Sequence, residues 1–115
     1  MPRRVLIVEA GFELGPLVSE GLARIDPEIE IDRAESMNVA VDRLAAAGYD
    51  LIVCDDEIDG ARSGLLLRHL CERRFPAIPF VLLASGAVDG EPDPTLLCKP
   101  FSPSELGERI ARLLA

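Results

Sequence analysis

The 115-residue chain is 49% hydrophobic and sets 12 basic against 20 acidic residues, for a net charge of −8 at pH 7. That length suits one domain with its own core and is too short for two, and the composition argues against disorder. The negative balance makes nucleic acid and anionic membranes poor partners, because phosphate repels the bare domain.

The chain begins Met1-Pro2-Arg3-Arg4, then runs Val5-Leu6-Ile7-Val8 into Glu9-Ala10. This run is too short for a signal peptide or a membrane span, so a cytoplasmic location is expected. Its unbroken apolar character predicts a strand covered on both faces. Leu14, Leu17, Val18, Gly21, Leu22 and Ile25 follow one helical face, with Pro16 near the helix start, where a missing N–H costs little. Ile29, Ile31 and Arg33 read as a short, half-apolar second strand at a sheet edge. Ser36 is placed to cap a second helix facing inward through Met37, Val41, Leu44 and Ala45, closed by Gly48.

Leu51 to Cys54 reads as the third strand, and it runs into Asp55-Asp56-Glu57. Gly64 opens a third helix expected to turn Leu66, Leu67, Leu70 and Cys71 inward. Phe80 to Leu83 and Leu96 to Cys98 are the fourth and fifth strands. Between them, Ser85 to Pro94 holds two glycines and two prolines without apolar periodicity, which predicts a loop. Ser102-Pro103-Ser104-Glu105 is a capping box with proline in the first turn, and Leu106, Ile110, Leu113 and Leu114 mark the last helix. Strands alternating with helices predict an α/β fold with a mostly parallel sheet between two helical layers.

Three cysteines, Cys54, Cys71 and Cys98, form no CxxC pair, and His69 is the single histidine. Neither a disulfide framework nor a zinc site is indicated, and buried thiols in a reducing compartment are expected. Alternation places Cys54 and Cys98 in the core. His69 beside Arg68 reads as an exposed helix residue rather than a relay histidine.

In open α/β sheets, ligands bind beyond the carboxyl ends of the strands. Those ends carry Glu9-Ala10, Asp55-Asp56-Glu57, Ala84-Ser85-Gly86 and Lys99-Pro100-Phe101. Carboxylates, a hydroxyl and a lysine on one rim are the materials for a hard cation and an anion that pairs with lysine. Asp56 reads equally as a surface acid or as a further carboxylate for that cation. Glu13 reads better as an acid favoured at a helix N-terminus.

In this order and spacing, VLIVEA, YDLIVCD and CKPF resemble the receiver domain of two-component response regulators, from about Arg3 to Leu114. The resemblance implies a flavodoxin-like sheet of strand order 2-1-3-4-5 and one domain over residues 1–115. It implies Asp55 as phosphoacceptor, Mg2+ held by Glu9, Asp55 and the Glu57 carbonyl, and phosphoryl contacts from Lys99 and a switch hydroxyl. Counting from Pro79 puts that hydroxyl's position at Ala84; the Ala-Ser-Gly pattern puts it at Ser85, the preferred reading. Metal and lysine charge let a carboxylate attack phosphorus despite two anions meeting.

The departures are specific. Ala10 stands where a second acid belongs, which predicts weak Mg2+ binding; Asp59 replaces the usual proline; and the stretch from Ser85 to Lys99 is too short for the usual fourth helix. Pro79-Phe80 followed by Ala84-Ser85-Gly86, the missing fourth helix and Lys99-Pro100-Phe101 together resemble the atypical FAT GUY receivers. That implies a stand-alone, non-enzymatic phosphorelay receiver, at most catalysing its own phosphotransfer and dephosphorylation. Its expected partners are a sensor histidine kinase or phosphotransfer protein and a downstream protein, with no output domain expected after Ala115. The alternative is a pseudo-receiver, an interaction module that never takes phosphate, motivated by Ala10. A flavin- or nucleotide-binding protein of the same fold is disfavoured by the lack of a glycine-rich loop after the first strand and of any tryptophan.

Overall fold

Short runs of leucine, valine and isoleucine bounded by polar turns become strands when both of their faces can be covered. A computed structural model describes residues 2–11, 13–58, 63–84, 96–99 and 101–114. In chain order the elements are β1 (Arg4–Val8), α1 (Leu14–Ile25), β2 (Glu30–Ala34), α2 (Met37–Ala46), β3 (Leu51–Asp55), α3 (Gly64–Arg74), β4 (Phe80–Ala84), β5 (Leu96–Cys98) and α4 (Pro103–Leu114). The strands form one parallel sheet of order β2-β1-β3-β4-β5, as expected. The loop expected over Ser85 to Pro94 lies outside the described residues.

Side chains alternate across the sheet and build two cores. Leu6, Val8, Ile52, Cys54 and Leu82 pack under α2 and α3 through Ala40, Leu44, Leu67 and Cys71. Val5, Ile7, Val53, Val81 and Leu83 pack under α1 and α4 through Val18, Leu22, Leu106 and Ile110. Ser36 caps α2, its Oγ accepting from the Val39 N–H at 3.2 Å. The Ser102 box also forms: the Glu105 N–H donates to Ser102 Oγ at 3.1 Å, and Glu105 Oε1 accepts from the Ser102 N–H at 3.4 Å. Helices α1 and α4 approach backbone to backbone, since a methyl on Gly21 would sit 2.8 Å from the Pro103 carbonyl oxygen and one on Gly107 3.0 Å from that of Gly21.

Four expectations are corrected. Gly48 does not cap α2; the helix ends one residue earlier, in an extended Ala47. Ala45 is exposed, because Ala40 and Leu44 already define the buried stripe and a 100° step carries Ala45 off it. Leu66 is 61% exposed rather than core, since Gly64, Leu67 and Cys71 set the inward line of α3. Leu66→Ser should therefore change stability by under about 0.5 kcal/mol, while Leu67→Ala should cost about 2–5 kcal/mol in urea unfolding. A large loss for Leu66→Ser would contradict its outward placement.

Cys98 is also exposed, because β5 is the edge strand and its buried position falls to Leu97. Cys54 and Cys71 are buried, and burial raises the Cys54 thiol and pushes Cys71 up to about 11. Ellman's reagent at mildly alkaline pH should label one thiol rapidly in the native protein and all three in denaturant. Two fast native thiols would contradict this burial.

Candidate functional site

Sheet alternation brings three charged residues to one rim. Val5, Ile7, Val53, Val81, Leu83 and Leu97 all point to the α1/α4 side, so the same period carries Glu9, Asp55 and Lys99 to that side. The strand ladder pins the rim one residue past three strand ends. The Glu9 N–H donates to the Ala34 carbonyl at 3.0 Å, the Asp56 N–H to Leu83 at 3.1 Å and the Lys99 N–H to Ala84 at 2.8 Å.

At the centre, Lys99 Nζ donates to Asp55 Oδ1 at 2.5 Å and lies 3.6 Å from Asp56 Oδ1. The Asp55 side chain is 17% exposed and that of Asp56 12%. Burial raises the Asp55 carboxyl above the usual carboxylate range; Lys99 pulls it down, and the hydrogen bond with Asp56 adds to the rise. Asp56 is thus a member of the cluster rather than a surface acid. Glu57 is exposed beside it. Ala84 follows Phe80 and Leu82 by alternation onto the face opposite Leu83, the strand partner of Asp55, so it does not share the Asp55 side. Ser85, Asp59 and Pro100 lie outside the described residues, and Glu13 is exposed with no side-chain cap bond.

Glu9 is 2% exposed and has a different set of neighbours. Its Oε2 accepts from the Leu14 N–H at 3.1 Å and its Oε1 from the Gly15 N–H at 2.7 Å, so it caps α1 from the preceding strand. Arg33 Nε stands 3.9 Å from Glu9 Oε1, and Arg33 Nη2 donates to the Glu9 carbonyl at 3.3 Å and to the Gly11 carbonyl. Arg33 did not emerge as a site residue from the sequence. The signal was the alternation of β2, but using it requires the β1–β2 register, which pairs Ile7 with Arg33.

Mg2+ keeps near-octahedral oxygen coordination and is held by one or two carboxylates with waters. The described residues, as arranged, do not fit it. Ala10 offers no ligand, each Glu9 oxygen already accepts a backbone N–H, and Asp55 Oδ1 faces an ammonium. Among the described residues no group of three or more histidine, cysteine, aspartate or glutamate side chains is set to hold a metal ion. Among them too, no helix is long and apolar enough to cross a membrane.

No protein-family model matches the chain. It is 29% identical over 116 residues to the transcriptional regulatory protein CutR of Streptomyces coelicolor, and equally to that of Streptomyces lividans; the match covers 96% of this chain and 52% of theirs. The chain therefore spans about half the length of the curated relatives it matches. Among solved structures it resembles a putative response regulator from Chloroflexus aurantiacus, with TM-score 0.82, 23% identity and coverage of 99% and 98% of the two chains. It also resembles the chemotaxis response regulator CheY4 of Vibrio cholerae, with TM-score 0.80, 21% identity and coverage of 99% and 100%. The fold is that of response-regulator receiver domains.

Proposed function

We propose that this receiver-fold chain takes part in phosphorelay signalling by accepting a phosphoryl group on Asp55. The observation that carries the reading is a lysine ammonium fixed 2.5 Å from a largely buried aspartate at the carboxyl edge of a parallel sheet. An Asp55 carboxylate oxygen forms the new bond to phosphorus. The phosphorus–nitrogen bond of a phosphohistidine on the donor breaks, and its electron pair stays on the imidazole. Lys99 screens the two anions as they meet and then pairs with the phosphoryl oxygens, with Ser85 proposed as the switch hydroxyl. No step here depends on Mg2+.

The donor is proposed to be a sensor histidine kinase or phosphotransfer protein, and the receiver of the signal a downstream protein, in the cytoplasm. The net charge of −8 supports protein rather than nucleic-acid partners.

The test is intact mass spectrometry after incubation with a small phosphoramidate, with and without Mg2+, beside Asp55→Asn. One phosphoryl adduct that disappears in the variant is expected. A folded protein that takes no adduct from the phosphoramidate or from a histidine kinase would favour the pseudo-receiver, a reading that Ala10 and the engaged Glu9 support.

A further inference from the structure

The rim holds three carboxylates, Glu9, Asp55 and Asp56, and among the described residues Lys99 and Arg33 lie beside them. Lys99 covers the aspartates. Arg33 reaches Glu9 from the neighbouring strand. We propose that Arg33 is a built-in counter-ion that occupies the charge position of a divalent metal beside Glu9, so that this rim works without a bound metal.

Three observations carry this. First, the β1–β2 register sets Arg33 opposite Ile7, on the α1/α4 side and two residues short of Glu9. The arginine is thus delivered by the sheet and not by a flexible loop. Second, its guanidinium engages both kinds of oxygen a hard cation would seek. It stands 3.9 Å from the buried Glu9 carboxylate and binds the Glu9 and Gly11 carbonyls, while its Nη1 also donates to the exposed Glu35 carboxylate at 3.3 Å. Third, Glu9 is almost fully buried, and its two oxygens accept the first N–H groups of α1. Two of its roughly four acceptor sites are thus taken, and a positive charge within 4 Å repels a second cation. Ala10 then agrees with its surroundings: where arginine supplies the charge, a second acid is not needed.

The inference rests on reading this rim as the phosphoacceptor site. Amide NMR of the full chain, titrated with MgCl2 into the millimolar range, tests it. The wild type should show no saturable shifts at residues 9–11 and 55–57. Ala10→Asp with Arg33→Gln should bind Mg2+ at least about tenfold more tightly than Ala10→Asp with Arg33→Lys, which keeps the cation. Amide dispersion shows that each variant folds.

Saturable Mg2+ binding by the wild type would overturn the inference. So would equal affinities in the two double variants, whether strong or absent. The phosphoramidate assay separates this from the underlying reading. An adduct on metal-free protein agrees with both, and one that requires Mg2+ overturns the counter-ion while keeping Asp55 as acceptor. No adduct under any condition, with the NMR result as expected, removes the acceptor and leaves Arg33 in its role.

Discussion

Gly64→Ala should lower the melting temperature by about 10–15 °C. A methyl at this position would clash with the Asp55 carbonyl oxygen and sit 2.7 Å from Asp56 Cα. Both are backbone atoms, so no rotamer change relieves the clash; either the start of α3 or the end of β3 must move. Overpacking typically costs about 1–3 kcal/mol, and an obstacle of backbone belongs at the upper end. For a domain of this size each kcal/mol corresponds to roughly 4–5 °C. The Gly64 N–H also donates to the Asp56 carbonyl at 3.0 Å, so the displacement passes directly into the aspartate pair. Phosphorylation of Asp55 should therefore weaken as well. Gly48→Ala is the control, since nothing lies within 4 Å of its added methyl, and it should be neutral to slightly stabilising. A Gly64→Ala protein that melts with the wild type would show that β3 and α3 are not joined as described.

Lys99→Met should produce the second large effect, and its pH dependence identifies the cause. Without the ammonium, Asp55 loses the cation that lies 2.5 Å from its carboxylate and is left facing Asp56. Breaking a buried pair costs about 3–5 kcal/mol, but the Lys99 side chain is 26% exposed, so solvent reduces this to about 1–2 kcal/mol. Burial already holds the Asp55 carboxyl above the usual range, and Lys99 is the main opposing influence. Its removal raises the folded-state value further. A carboxyl whose folded value exceeds its unfolded one binds more protons when folded, so stability falls as pH rises from the unfolded value through the folded one. Lys99→Met should thus be much less stable than the wild type at pH 7, with the gap closing toward about pH 4, where the carboxyls are protonated. Asp55→Asn on the Lys99→Met background should recover most of the loss at pH 7. Thermal melts of the three proteins across this range decide the matter, and a pH-independent deficit would assign the loss to packing of the lysine stem instead. Phosphotransfer to Asp55 should fall by about 10²–10³-fold in Lys99→Met, because the charge that screens the meeting anions is gone.

The fold was legible because its signals are local. Each strand is a short apolar run, each helix has a face, and Ser36 and Ser102 announce their helices through atoms only three residues away. The carboxyl-edge rule then gathered Glu9, Asp55 and Lys99 from the carboxyl ends of β1, β3 and β5. What stayed hidden depends on relations between strands. Arg33 looked like the end of an edge strand until the register placed it beside β1, and the capping role of Glu9 needs the path of the chain into α1. Leu66 and Cys98 were misplaced for a related reason. For Leu66 apolar type was read as inward direction, which the helix phase overrules; for Cys98 alternation gave a face, but β5 at the sheet edge leaves that residue exposed.

The close seating of Gly21 on α4 has a kinetic consequence. Its partner Gly107 is made 86 residues later, which at about 5–20 residues per second is a wait of about 4–17 s. Through that interval the stripe of Val18 and Leu22 lacks the leucine and isoleucine that later cover it. The nascent chain thus carries an open apolar seam until its last helix is made. Conditions that slow translation of the segment before α4 should favour chaperone capture or aggregation over folding.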